Sequence, residues 1–208
     1  AYEMLNNHFG TSSLKGFGVE KLPAGIVAAG AVLRYLEETE HKQIKHIASI
    51  ARIEEDKYVW LDRFTINNLE LLYPQQEEGV PLIQVLDKTV TPMGARLMKK
   101  WVVLPLKDIH AIHRRLDTVE VLVKDPTLWQ NIFQALKQIG DLERLISKVS
   151  VGRVNPRELL ALQKALQQIA PIQRHLQSST HELLLKLSEQ LYCCDYLLEK
   201  IEKLHKET

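Results

Sequence analysis

The chain has 208 residues, 45% of them hydrophobic, which is the size of one large or two small globular domains with a real apolar core. Lysine and arginine number 27 against 26 aspartates and glutamates, so the electrostatic footprint of a dedicated nucleic-acid-binding domain is missing. Any contact with DNA is local or made elsewhere.

Residues 1–9 suit a short helix, and the turn-rich GTSSLKGFG from Gly10 to Gly18 ends it. PAGIVAAGAVLRYLEETE follows, dense in small residues from Ala24 to Ala31 and charged from Glu37 onward. That pattern predicts a helix packed closely against a neighbour. Between Ile44 and Leu61 the composition shifts to Ile, Val, Tyr and Trp, with a charged turn at Glu54 to Lys57, and predicts one β-hairpin. Asp62 stands at an N-cap position, and Ile66, Leu69 and Leu72 follow at helical spacing until Pro74 stops the run. QQEEG, residues 75–79, reads as a surface loop.

Beyond it the signal is helical to the end. LDKTVTPMGARLMKKWVVLPL, Leu86 to Leu106, opens a helix with Thr91, Pro92 and Gly94 and closes it with Pro105, yet holds no nucleophile, metal-ligand set or phosphate cradle. Asn155, Pro156 and Glu158 form a capping pattern, and Leu159, Leu162, Leu166, Ile169, Ile172 and Leu176 make a stripe facing a partner helix. Pro171 interrupts the stripe and predicts a kink or break. Ser179 with Glu182 repeats the capping pattern, and Leu183, Leu187, Leu191, Leu198 and Ile201 repeat the stripe. The expected fold is mainly α, with a single small β-hairpin near residues 44–61 and no period of solenoid length.

Candidate chemistry is sparse. His110 and His113 can share a helix face, but two imidazoles are half a zinc site and no Cys or carboxylate pattern completes it, so they read as solvated histidines. Cys193 and Cys194 are adjacent, lack the two-residue spacer of a redox pair, and read as small core-facing residues in a reducing cytosol. Arg96, Lys99, Lys100, Lys107, Arg114, Arg115 and Lys124 form a basic cluster opposed locally by Asp108, Asp117 and Glu120. It reads as a solvated face with stems lying on apolar neighbours; the alternative is salt-sensitive contact with phosphate or an acidic partner. In GDLERLISKV, Arg144 is within reach of Asp141 for an exposed pair. The glycine-rich phosphate loops, the H-E-x-x-H zinc motif and the G-x-S-x-G nucleophile motif do not occur, so neither an enzyme nor a bound cofactor is expected within the segment. No leader, long apolar run or lipidation signal argues for secretion or a membrane, and the absence of an initiating Met suggests an excised piece of something longer.

Four stretches resemble the MutS family of DNA mismatch-repair ATPases: LDRFTINNLEL (Leu61 to Leu71), LDKTVTPMGARLMKKWVVLPL, GDLERLISKVSVGRVNPREL (Gly140 to Leu159) and, more weakly, HFGTSSLKGFG (His8 to Gly18). They stand in the family's order. The residues that carry the match are Asp62, Thr65, Asn68, Leu69 and Glu70; Asp87, Thr91, Pro92, Met93, Gly94, Trp101 and Pro105; Gly140, Asp141, Leu142, Glu143 and Arg144; and Pro156. The resemblance implies that residues 1–37 are the tail of a connector domain and 38–208 the first part of a helical core domain, ending before the long lever helices and the clamp. It also implies a parent that recognises mispaired bases in double-stranded DNA as a homodimer, uses ATP and Mg in an ATPase domain outside this chain, recruits MutL and works in the cytoplasm. Within such a core, Thr91 and Pro92 fix a helix start, Gly94 permits close approach and Trp101 anchors the helix. That helix serves as a strut between DNA and nucleotide sites, although Thr91 is equally an ordinary cap. The other functions considered are a stand-alone DNA-binding module using the basic cluster and a helical interaction scaffold with the Leu159–Leu176 stripe open to another chain.

Overall fold

Glycine, proline and short polar residues punctuate the chain where local chemistry asks for it. In the computed structural model, which describes residues 1–39, 44, 47–53, 55–150 and 152–206, Gly10 takes a left-handed φ of 64° and ends α1 (Tyr2–Phe9). After a 3-10 turn at Leu14–Phe17, Pro23 begins α2 (Pro23–Glu38). The remaining helices are α3 (Arg63–Asn68), α4 (Leu82–Leu86), α5 (Pro92–Val103), α6 (Ile109–Lys124), α7 (Pro126–Lys137), α8 (Leu142–Ser150), α9 (Pro156–Gln167), α10 (Ile169–Gln177), α11 (Glu182–Gln190) and α12 (Asp195–Lys206).

The chain divides into two units, Ala1–Glu54 with Arg144–Val154, and Glu55–Glu143 with Asn155–Thr208. In the first, α1 packs on α2, and Leu5, Leu14, Val19, Ile26, Leu33 and Ile44 form the core. The small-residue helix does lie close to a neighbour: a Cβ on Gly30 of α2 would stand 2.6 Å from the Cβ of Ala1. In the second, α10 lies against α7, α9 and α11, and α12 against α9. Leu128, Ala135, Ile139, Ala165, Ile172, Leu176 and Leu184 are its central cluster.

Pro171 breaks the long stripe as its ring demands. A proline crowds the carbonyl four residues before it, which is that of Gln167, the last residue of α9; α10 restarts at Ile169. The stripe is therefore not open to another chain. Leu162, Leu166, Ile172 and Leu176 are buried within this one.

Two local expectations are corrected. The hairpin is absent among the described residues of 44–61, residues 45, 46 and 54 lying outside them. Its second half pairs elsewhere: Tyr58 forms an isolated antiparallel bridge with Leu106, Val59 N–H donates to Pro105 O at 2.7 Å, and Lys107 N–H donates to Lys57 O at 3.1 Å. Its first half instead supplies Ile44, Ile47 and Ile50 to the first unit's apolar cluster. The Ser179–Glu182 capping box also fails to form, because Glu182 is the first helical residue of α11 and His181 its cap. Ser179 Oγ accepts from His181 N–H at 3.1 Å, and Glu182 pairs with Lys186. Consequently the buried face of α11 is Leu184 and Ser188, one residue on from the expected Leu183 and Leu187.

Candidate functional site

Of the matched stretches, residues 86–106 carry α5, and residues 140–159 meet it through Asp141 and Glu143. Thr91 is extended, and its hydroxyl accepts from Gly94 N–H at 3.0 Å, satisfying a donor that has no helical partner, while Pro92 occupies the first turn where its missing N–H costs nothing. Gly94 is needed for space: a Cβ there would meet Thr91 Oγ1 at 3.0 Å and Thr89 Cβ at 3.2 Å. Just upstream, Asp87 accepts from Thr89 N–H at 3.0 Å and from its hydroxyl at 2.6 Å. The Thr89 hydroxyl first, then its N–H and the charges of Lys99 and Lys88, hold the Asp87 carboxyl below the usual range. Pro105 follows the end of α5, and its carbonyl takes the bridge from Val59.

None of the side chains of α5 is buried, although Met93 packs at the edge of the second unit's core. Its position depends on polar ties. Arg96 Nη1 and Nη2 donate to both oxygens of Asp141 at 3.0 and 2.7 Å, and Nε and Nη2 donate to Glu143 Oε2 at 2.8 and 2.5 Å. One guanidinium thus grips the acidic residues of GDLER at the start of α8 and is itself held more firmly protonated, by Asp141 first and Glu143 second. Leu142, between them, turns into the apolar cluster. Trp101, 40% exposed, lies under the Arg115 guanidinium of α6 at 3.9 Å from the ring centre.

The other matched residues are structural terminators. Asp62 caps α3 by accepting from Thr65 N–H at 2.6 Å, which lowers its pKa. Asn68 and Leu69 end that helix, and Glu70 takes a left-handed φ of 48°. Glu70 O accepts from Leu82 N–H at 2.9 Å, and its side chain accepts from Gln75 N–H at 3.1 Å, tying α3 and the 75–79 loop to α4. Gly140 leads into GDLER without a left-handed φ. Asn155 and Glu158 complete a capping box with Pro156 at the first position of α9.

The basic cluster is divided among partners. Arg96 serves Asp141 and Glu143, Lys124 pairs with Glu120, and Arg115 covers Trp101. Lys99, Lys100 and Arg114 are exposed on α5 and α6. Sequence spacing offers Arg144 for Asp141; the structure also brings Arg96, 45 residues upstream, onto it. Cys193 Sγ donates to Gln173 Oε1 at 3.3 Å, and Gln173 Nε2 donates to Ser188 O and Leu191 O at the end of α11. Among the described residues no group of three His, Cys, Asp or Glu is placed to hold a metal, and no helix is long and apolar enough to cross a membrane.

Caps, a forked ion pair and a cation over a ring set the local geometry of a mainly helical chain. Its family follows from comparison with known proteins. A profile described as MutS domain II matches residues 1–48, and one described as MutS domain III matches residues 64–208. The chain is similar to proteins named DNA mismatch repair protein MutS: 57% identical to that of Cytophaga hutchinsonii, 52% to that of Bacteroides fragilis and 50% to that of Flavobacterium johnsoniae. These matches cover 99, 97 and 97% of this chain and 24, 23 and 23% of the relatives. The chain belongs to the MutS family and spans about a quarter of the length of those relatives.

Proposed function

We propose that this chain is the framework of a mismatch-repair protein, with residues 1–37 closing the connector domain and 38–208 opening the core domain, and that it links DNA recognition to ATP turnover without performing either. Mispaired DNA, ATP with Mg, a second MutS subunit and MutL are met by the parent protein in the cytoplasm, through parts outside this chain. The observation that carries this reading is α5: it has no buried side chain, yet the segment that follows it, residues 105–107, is tied to residues 57–59 and the helix itself to the start of α8 through Arg96. A helix fixed by separable polar ties is suited to two discrete positions, which a coupling element requires.

The test has two parts. A pure sample of this chain shows no ATP hydrolysis and no preference for a mismatched duplex; clear turnover overturns the reading. In the full-length protein, Trp101→Ala leaves DNA binding and basal ATP hydrolysis intact but reduces the effect of a mismatch on that hydrolysis. An unchanged mismatch effect removes α5 from the coupling path.

The exposure of Lys99, Lys100 and Arg114 supports a second reading, a direct contact with the DNA backbone beside Arg115. It calls for duplex binding that weakens steeply with salt and is lost in Lys99→Glu/Lys100→Glu. Flat fluorescence anisotropy at low salt disposes of it.

A further inference from the structure

We propose that Arg96 is a salt-weakened electrostatic latch: by gripping Asp141 and Glu143 with one guanidinium it sets the position of α5 against the start of α8, and it releases both carboxylates together. Three observations carry this. No side chain of α5 is fully buried, and Met93 packs at the edge of the second unit's apolar cluster, so polar ties share in fixing the helix. All four donor contacts come from one planar group, two to each carboxylate, so loss of the fork loses both partners at once. The Arg96 and Glu143 side chains are 48% and 67% exposed and that of Asp141 21%, so water and ions reach the contact from the Glu143 side, and none of the three side chains belongs to the buried core.

The released state is also accommodated. Asp141 precedes α8 and Glu143 lies in its first turn, where the helix N-terminus favours negative charge. The carboxylates therefore retain a favourable setting when the guanidinium leaves. The latch rests on this geometry, and its use in coupling rests on the reading given above.

Hydrogen exchange on the full 208-residue chain tests the latch, comparing wild type, Arg96→Lys and Arg96→Ala at low and high salt. At low salt the amides of α5 and the first turns of α8 exchange several-fold faster in Arg96→Ala, with Arg96→Lys between it and wild type, while α9 and α10 keep their protection. High salt moves wild type toward Arg96→Ala and leaves that variant unchanged. Equal exchange in all three proteins overturns the latch, and so does acceleration spread evenly over the chain. Should Arg96→Ala fail to fold, the wild-type salt series decides alone: no selective acceleration in α5 and α8 means no latch. Full-length protein carrying Arg96→Lys then separates the two ideas. Selective exchange with an unaltered mismatch effect on ATP hydrolysis keeps the latch and removes the coupling role.

Discussion

Thr91 does with one hydroxyl what the opening of α5 needs, and its contribution is measurable alone. Thr91→Ala destabilises by about 1 kcal/mol in chemical denaturation, and Thr91→Ser restores most of it. If Thr91→Ala is neutral, Pro92 and packing at Met93 define the helix start. The carboxylates of Asp62 and Asp87 make a different prediction, because their pKa values lie below the ordinary carboxylate value. A depressed folded pKa gives stability that is fully present above the unfolded pKa, about 4, and is lost as pH falls through the folded value. The stability difference between wild type and Asp62→Ala is therefore constant from neutral pH down to about 5 and shrinks only in more acid solution. A difference that grows on acidification contradicts the Thr65 N–H as the origin of the shift. The caps at Thr91 and Asp62 are legible in sequence because donor and acceptor lie three residues apart. The Arg96 fork is not, since its partners are 45 and 47 residues away.

At the scale of an element, α11 shows how a correct helix acquires the wrong face. Periodicity marks leucines at 183, 184, 185 and 187, and spacing does not choose among adjacent stripes. The structure buries Leu184 at 2% exposure and leaves Leu187 at 42%. Leu184→Ala accordingly costs roughly 2–5 kcal/mol, and Leu187→Ala less than about 0.5 kcal/mol. The reverse order in thermal or denaturant unfolding would restore the sequence register. The break between α9 and α10 was legible because Pro171 acts on its own preceding turn. The hairpin was misread because β-prone residues state a preference for pairing without naming the partner, and Leu106 lies beyond α5.

Across the whole molecule, the two apolar clusters belong to different stretches of chain, and core deletions should report in different places. Leu14→Ala, at a side chain with no exposure, lowers hydrogen-exchange protection in residues 1–39. Leu184→Ala lowers it in α7, α10 and α11. Loss spread equally over the chain by either variant shows one cooperative core instead of two. The sequence by itself determined the helical class, the starts of α1, α2, α3, α5 and α9, the break at Pro171 and the family, because caps, breakers and motif strings are local in the chain. Tertiary structure decided which face of α11 is buried, where residues 57–59 pair and that Arg96 reaches GDLER. The physical reason is that a shift of one residue turns a helix face by about 100°, and a charge or strand pair is chosen by neighbours in space that local periodicity does not encode.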